Sequence, residues 1–179
     1  MATEKRELRR KYRQQRATIF QPKSFTNIVK ESEFSGAKCV TSYFSINDEP
    51  ATSDLNLLLI SLGITLLLPR ALNGNLEWVS WKGDRELLEE NRGLIEPIGE
   101  PITDLSNIGV VIVPALHVDR LGYRLGQGGG YYDRTLPKIP GWKIGLVHSG
   151  EFGDDELPRE AHDVKLDAVA TPEIIHRFI

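Results

Sequence analysis

The chain has 179 residues, a net charge of −3 and an ordinary 26% share of charged residues. Its length suits a single domain over residues 1–179, and the 40% hydrophobic content can supply a core. No excess of Lys and Arg marks a nucleic-acid or membrane-surface partner, and the single cysteine, Cys39, excludes an internal disulfide and reads as a small buried hydrophobe.

Residues 3–16 predict a helix free of Gly and Pro, with Thr3 available as its cap. Leu8 and Tyr12 give it one narrow apolar stripe, while seven of residues 4–16 are basic. Lys5, Arg9 and Arg13 recur at spacing four and share a face. This basic start lacks the apolar stretch of a signal peptide. The Leu- and Ile-rich run 55–68 is interrupted by Asn56, Ser61 and Gly63 and is shorter than the roughly 20 residues of a membrane span. A soluble, cytoplasmic protein without a membrane partner is expected.

Phe25, Ile28 and Val29 suggest a second helix before Gly36. Residues 38–45 read as a strand, 53–62 as a helix capped by Ser53, and 64–68 as a buried strand ended by Pro69. The turn Asn73-Gly74 precedes a strand over 76–81. Residues 84–90 read as helical and 91–106, with Pro97 and Pro101, as a long surface loop. The apolar, β-branched run 109–113 is typical of a central parallel strand. A helix is expected from Tyr131, strands over 142–147 and 166–170, and a short last helix opened by Thr171-Pro172. Strands alternating with helices predict an α/β fold: three layers, α/β/α, around a mostly parallel central sheet.

Ligands of open parallel sheets sit beyond the carboxyl ends of the strands. Twelve residues after Pro114 comes Gly126-Gln127-Gly128-Gly129-Gly130, followed by Tyr131-Tyr132-Asp133-Arg134. Glycines let successive backbone N–H groups converge on an anion, a helix start adds a positive end, and Arg124 and Arg134 flank the loop. The pattern reads as a phosphate cradle, with a plain tight turn as the alternative. It matches neither a P-loop nor the dinucleotide fingerprint.

The segment VPALHVDRLGYRLGQGGGYYDR, residues 113–134, resembles the signature of the 5-formyltetrahydrofolate cyclo-ligase family. Further segments agree in order. They are Lys5…Leu8-Arg9, Tyr43-Phe44-Ser45-Ile46-Asn47-Asp48-Glu49, Pro69-Arg70, Gly93-Leu94-Ile95-Glu96-Pro97, and His162-Asp163…Asp167. The resemblance implies ATP-driven closure of 5-formyltetrahydrofolate to 5,10-methenyltetrahydrofolate, with Mg²⁺ as cofactor, small molecules as the only partners and a monomeric enzyme. It assigns nucleotide contacts to Lys5, Arg9, Arg124, Gly126, Gln127, Gly128, Gly129, Gly130, Tyr131 and Tyr132. Arg124 and Tyr132 are the catalytic candidates. Phe44, Glu49, Gln127 and Tyr131 are assigned to the folate, with Glu49 facing the donor edge of the pterin. Phe44 and Tyr132 read equally as core aromatics.

Asp133 and Asp163 are the implied Mg²⁺ ligands, with Asp167 competing for the second place. The family often has Arg where this chain has Gln127, and an aromatic residue where it has Arg92. Gly129 is expected to need a positive φ. His117, His148 and His176 match no ligand or triad spacing and read as structural. The rival readings are another phosphate-handling enzyme and a non-catalytic binding module.

Overall fold

Residues 2–19 and 23–179 are described by a computed structural model, and the first of them form helix α1 (Ala2–Ile19). The helix outruns the predicted span at both ends, so Thr3 lies within it instead of capping it. Its inward stripe holds Leu8 and Tyr12 as expected. That stripe also takes in two charged residues, because Lys5 and Arg16 are buried too. A buried charge is tolerated only where it is paired, and both have carboxylate partners.

The main sheet has seven strands in the order β12-β11-β9-β6-β1-β2-β3. These are β1 (Cys39–Thr41), β2 (Thr65–Leu72), β3 (Asn75–Trp81), β6 (Ile108–Pro114), β9 (Trp142–Leu146), β11 (Ala168–Ala170) and β12 (Ile175–Arg177). Neighbours from β11 through to β2 run parallel, while both edge strands pair antiparallel. The period of two along β6 sorts its side chains onto two faces. Val110 and Ile112 join Leu66, Leu68, Ile144 and Leu146 against α2 (Ser53–Ser61) and the segment carrying Phe25, Ile28 and Phe34. Val111 and Val113 join Leu67 and Val169 against Trp78, Leu136 and Ile139, which follow or face α3 (Tyr131–Thr135). The predicted layered fold with a mostly parallel sheet is therefore present. Cys39 is half-buried at the edge of the second cluster rather than fully buried.

Several local expectations change. The second helix is two 3₁₀ turns, Thr26–Lys30 and Ser32–Phe34. The strand expected over 38–45 stops at Thr41, because side chains at the start of α2 take over its later backbone groups. Thr52 Oγ1 donates to the Tyr43 carbonyl (2.7 Å) and accepts from Ser45 N–H (3.1 Å), and Asn56 Nδ2 also donates to Tyr43 (3.0 Å). Thr52, not Ser53, stands at the cap position of α2.

Pro69 does not end β2, which pairs through it with β3 as far as Leu72↔Asn75. Pairing with β1 ceases at Leu67, so the missing N–H faces no strand there. Asn73 and Gly74 both have positive φ, as a tight hairpin requires.

The helix expected over 84–90 is a 3₁₀ turn, Arg85–Leu87, leading into β4 (Leu88–Asn91). The loop expected over 91–106 contains β5 (Leu94–Pro97), which pairs antiparallel with β4 around Arg92 and Gly93, both at positive φ. Tertiary contacts decide this. The buried Glu96 accepts from Ala71 N–H of β2 (2.8 Å) and from Asn91 Nδ2 (2.8 Å), tying the hairpin down. The last expected helix is a bend in which Thr171 Oγ1 accepts from the N–H groups of Glu173 and Ile174 (3.2 Å each), before edge strand β12. A small third sheet, β10-β7-β8, is built from β7 (His117–Asp119), β8 (Arg124–Leu125) and β10 (Phe152–Gly153). It carries the chain from β6 to the glycine loop. No helix among the described residues is long and apolar enough to cross a membrane.

Candidate functional site

Beyond the ends of β6 and β1 lies a pocket of about 350 Å³. Every site residue assigned above lines it: Lys5, Arg9, Phe44, Glu49, Arg124, Gly126, Gln127, Gly128, Gly129, Gly130, Tyr131, Tyr132, Asp133 and Asp163. They arrive from α1, the β1 exit, the glycine loop with α3, and the segment before β11. The β4–β5 hairpin closes another side with Leu94, Ile95 and Glu96. Arg92, at the exposed hairpin tip, is not part of the lining.

The glycine loop is held from α1. Arg9 Nε donates to the Gly126 carbonyl (2.9 Å), and Arg13 donates to both Gln127 Oε1 (3.0 Å) and the Gln127 carbonyl (3.1 Å). Gly128 (φ +108°) and Gly130 (φ +65°) occupy the left-handed region, which disfavours side chains. Gly129 does not, contrary to expectation. It is glycine for space, since a Cβ there would meet the Tyr131 ring at 2.7 Å. Arg134 is turned away from the pocket and braces the loop, donating to Gly74 (2.8 Å) and Gly129 (2.9 Å) carbonyls. With α3 only five residues long, its first-turn N–H groups matter more than any long-range dipole.

Two cation–carboxylate pairs sit at this wall. Arg124 Nη2 donates to Asp133 Oδ1 (2.7 Å), with the Arg124 side chain only 4% exposed and its guanidinium 6.0 Å from the Tyr132 ring centre. Lys5 Nζ donates to Asp163 Oδ2 (2.6 Å) and Glu160 Oε2 (3.1 Å). Burial alone would lower the Lys5 pKa, but its hydrogen bonds to Asp163 and Glu160 outweigh it, so the ammonium is raised above its usual value. Burial likewise opposes charge on Asp163, yet Lys5 and the Glu160 N–H hold it below the usual carboxylate range.

Glu160, His162 and Asp163 bring their ligand atoms within 4.8 Å of one another. Together with Asp133, this set is rich in carboxylate oxygen, the donor chemistry of a hard divalent cation. Asp167 is elsewhere. It accepts from Lys143 N–H (2.7 Å) and does not line the pocket.

Burial raises the Glu49 carboxyl. The Ile46 N–H (3.2 Å), the Arg16 charge and the Gln127 amide oppose that shift, and Asp48 adds to it. Tyr132 packs edge-on to Trp78, and its buried hydroxyl has no hydrogen-bond partner among the described residues. Burial pushes its pKa well up, so at neutral pH this phenol is a donor and not a base. Tyr43 is raised for the same reason, with Glu49 adding to it. Phe44 sits edge-on to Trp81 at 5.9 Å while also lining the pocket, so it is both core and wall.

Sequence reasoning passed over Glu160, and it named Tyr43 and His162 within resembling segments without giving either a role. Arg13 it placed on the right face without assigning it a contact. Arg16 lay off the Lys5–Arg9–Arg13 series, but it stands four residues after Tyr12 on the apolar stripe, and that was the signal for its burial. The remaining histidines are packed groups: His117 stacks on Tyr12 at 4.3 Å, His148 bonds the Asp48 carbonyl (2.7 Å), and His176 lies against Phe152 and Phe178.

The chain is similar to known proteins. A 5-formyltetrahydrofolate cyclo-ligase of Mycolicibacterium smegmatis is 36% identical over 146 residues, 76% of this chain and 74% of the relative. One of Escherichia coli K12 is 36% identical over 104 residues, 55% of this chain and 57% of the relative. The NMR structure of Aquifex aeolicus 5,10-methenyltetrahydrofolate synthetase superimposes with a TM-score of 0.80 at 28% identity, over 97% of this chain and 92% of that one. The model of the 5-formyltetrahydrofolate cyclo-ligase family matches residues 1–172, and the chain belongs to that family.

Proposed function

We propose that this chain closes 5-formyltetrahydrofolate to 5,10-methenyltetrahydrofolate and converts ATP to ADP and phosphate as it does so. The observation that carries the reading is one pocket with two chemically different walls. Lys5, Arg9, Arg124 and the glycine loop form a cationic wall, while Glu49, Phe44, Tyr132 and the apolar hairpin form the other.

The formyl group is a poor electrophile, because its own nitrogen donates into the carbonyl and its oxygen leaves badly. Transfer of the γ-phosphoryl group to that oxygen removes both obstacles. The neighbouring folate nitrogen then attacks the formyl carbon, the carbon–oxygen bond breaks, and phosphate departs with the nitrogen's proton. Such a transfer asks the protein mainly for positioning and charge neutralisation. Lys5, Arg9 and the loop N–H groups hold the phosphates, and Arg124 lies deepest against the transferred group. Tyr132, with a free buried O–H, donates to an acceptor on the reacting groups. Glu49 accepts from the pterin N–H edge, and Gln127 bridges the two walls.

Asp133 and Asp163 would hold Mg²⁺, with Glu160 beside them; when bound, the ion neutralises phosphate charge. Every group that this chemistry uses belongs to the one chain.

The test mixes protein, Mg-ATP and 5-formyltetrahydrofolate and follows the near-ultraviolet absorbance of the methenyl product. ADP should form in equal amount to product and only when the folate is present. Turnover without nucleotide, or ATP hydrolysis indifferent to the folate, overturns the proposal.

A further inference from the structure

Lys5 stands where a metal cation would. Its ammonium comes from the start of α1 and lies against one oxygen of Asp163 (2.6 Å) and one of Glu160 (3.1 Å). Those two carboxylates, with His162, are the set whose ligand atoms gather within 4.8 Å. Asp163 Oδ2 also accepts from Glu160 N–H (2.7 Å), so that oxygen already takes two donors. A divalent ion placed on the same oxygens would meet the ammonium at close range, where like charges repel strongly.

The same helix carries a second pair of a different build. Arg16 and Glu151 bond through two N–H groups, Nε to Oε1 (2.6 Å) and Nη2 to Oε2 (2.7 Å), and both side chains are sealed from solvent. A planar fork closed on a carboxylate in this way has no other acceptor to turn to. Lys5 is a point charge on a flexible stem. It opens on the pocket, and Glu160 beside it is 34% exposed. Two carboxylates face this one ammonium, which is more anionic oxygen than it needs. A ligand with several anionic oxygens offers the ammonium new acceptors in the same pocket. It also frees the two carboxylates for a hard, doubly charged partner.

We propose that Lys5 is an exchangeable counter-ion: while it holds Asp163 and Glu160 it closes them to a bare divalent cation, and it turns to the phosphates when the metal arrives bound to a polyphosphate. The ammonium is already at the wall and has only to change acceptors. The exchange onto phosphate rests on the function proposed above; the blocking of the carboxylates does not.

The experiment measures bound Mn²⁺ by equilibrium dialysis at neutral pH, without folate, with and without the β,γ-methylene analogue of ATP. Three proteins are compared: wild type, Lys5→Met, and Lys5→Met/Asp163→Asn. Lys5→Gln replaces Lys5→Met if the apolar variant does not fold. Without nucleotide, Lys5→Met should bind Mn²⁺ about tenfold more tightly than wild type, because the repelling charge is gone. Adding Asp163→Asn should abolish that gain. With the analogue present, wild type should retain Mn²⁺ and nucleotide in equal amounts. No gain in Lys5→Met, or a gain that survives Asp163→Asn, overturns the proposal. Nucleotide retained without the metal overturns the exchange. A gain in Lys5→Met beside a wild type that retains no nucleotide supports the blocking by Lys5 and overturns the ATP reading instead.

Discussion

The two walls of the pocket are held in different ways. On the cationic wall almost every side chain has a fixed partner: Lys5 with Asp163 and Glu160, Arg9 with Gly126, Arg13 with Gln127, and Arg124 with Asp133. The hairpin wall hangs on β2 largely through Glu96, with Leu94 at 42% exposure and Ile98 at 44%. The contrast follows from what each side is read to meet. Charge neutralisation works best when dipoles and cations are set before the ligand arrives. An apolar wall facing a flat ring needs only shape and tolerates adjustment.

The largest effect expected from breaking the cationic wall is at Arg124. Arg124→Ala removes a nearly buried charge and leaves Asp133 without its partner. Turnover should fall on the order of 100-fold, as when one fixed donor to a developing charge is lost. Folate affinity in calorimetry should change by less than about twofold. A variant with wild-type turnover would show that the cationic wall only binds.

The hairpin should respond in the opposite sense. Glu96→Ala frees Ala71 N–H, a half-buried donor worth roughly 1–3 kcal/mol when left unpaired, and releases the exposed Asn91 side chain to water. The KM for 5-formyltetrahydrofolate should rise about tenfold and that for ATP about twofold or less. Equal rises in both would mean that the two walls move as one body.

The smallest effect expected is at the seam between them. Gln127→Ala and Arg13→Ala should each weaken ATP use by about 0.5–1.5 kcal/mol in kcat/KM, the range of one hydrogen bond. The two changes should add to less than their sum, because they share the Arg13–Gln127 Oε1 bond, whereas only Arg13→Ala also removes the bond to the Gln127 carbonyl. Additive losses in the double variant would place Arg13 on the nucleotide independently of Gln127.

Much of this was legible in the chain. The β-branched run of β6 announced a buried parallel strand, because both of its faces meet core. Asn73-Gly74 announced its hairpin, because few residues accept positive φ at successive positions. The glycine loop, Arg124 and Asp133 lie within one short contiguous segment, so their meeting needed only local geometry.

Tertiary structure alone decided the rest. Residues 84–90 carry helix-forming side chains, yet the tie from Glu96 to β2 makes the hairpin the lower-energy choice. The chain after Thr171 turns into an edge strand because β11 offers it an open row of hydrogen-bonding groups. The partners of α1 were beyond reach of any spacing rule. Lys5 and Asp163 stand 158 residues apart and Arg16 and Glu151 stand 135 apart. Periodicity reports which face of a helix is apolar, but a charged residue on the buried face is read as exposed until its distant counter-charge is known. Residue type and local spacing thus determined the central parallel strands, the glycine loop and its phosphate-binding character, whereas the folded chain alone decided which charges pair across the pocket, since that depends on segments brought together from its two ends.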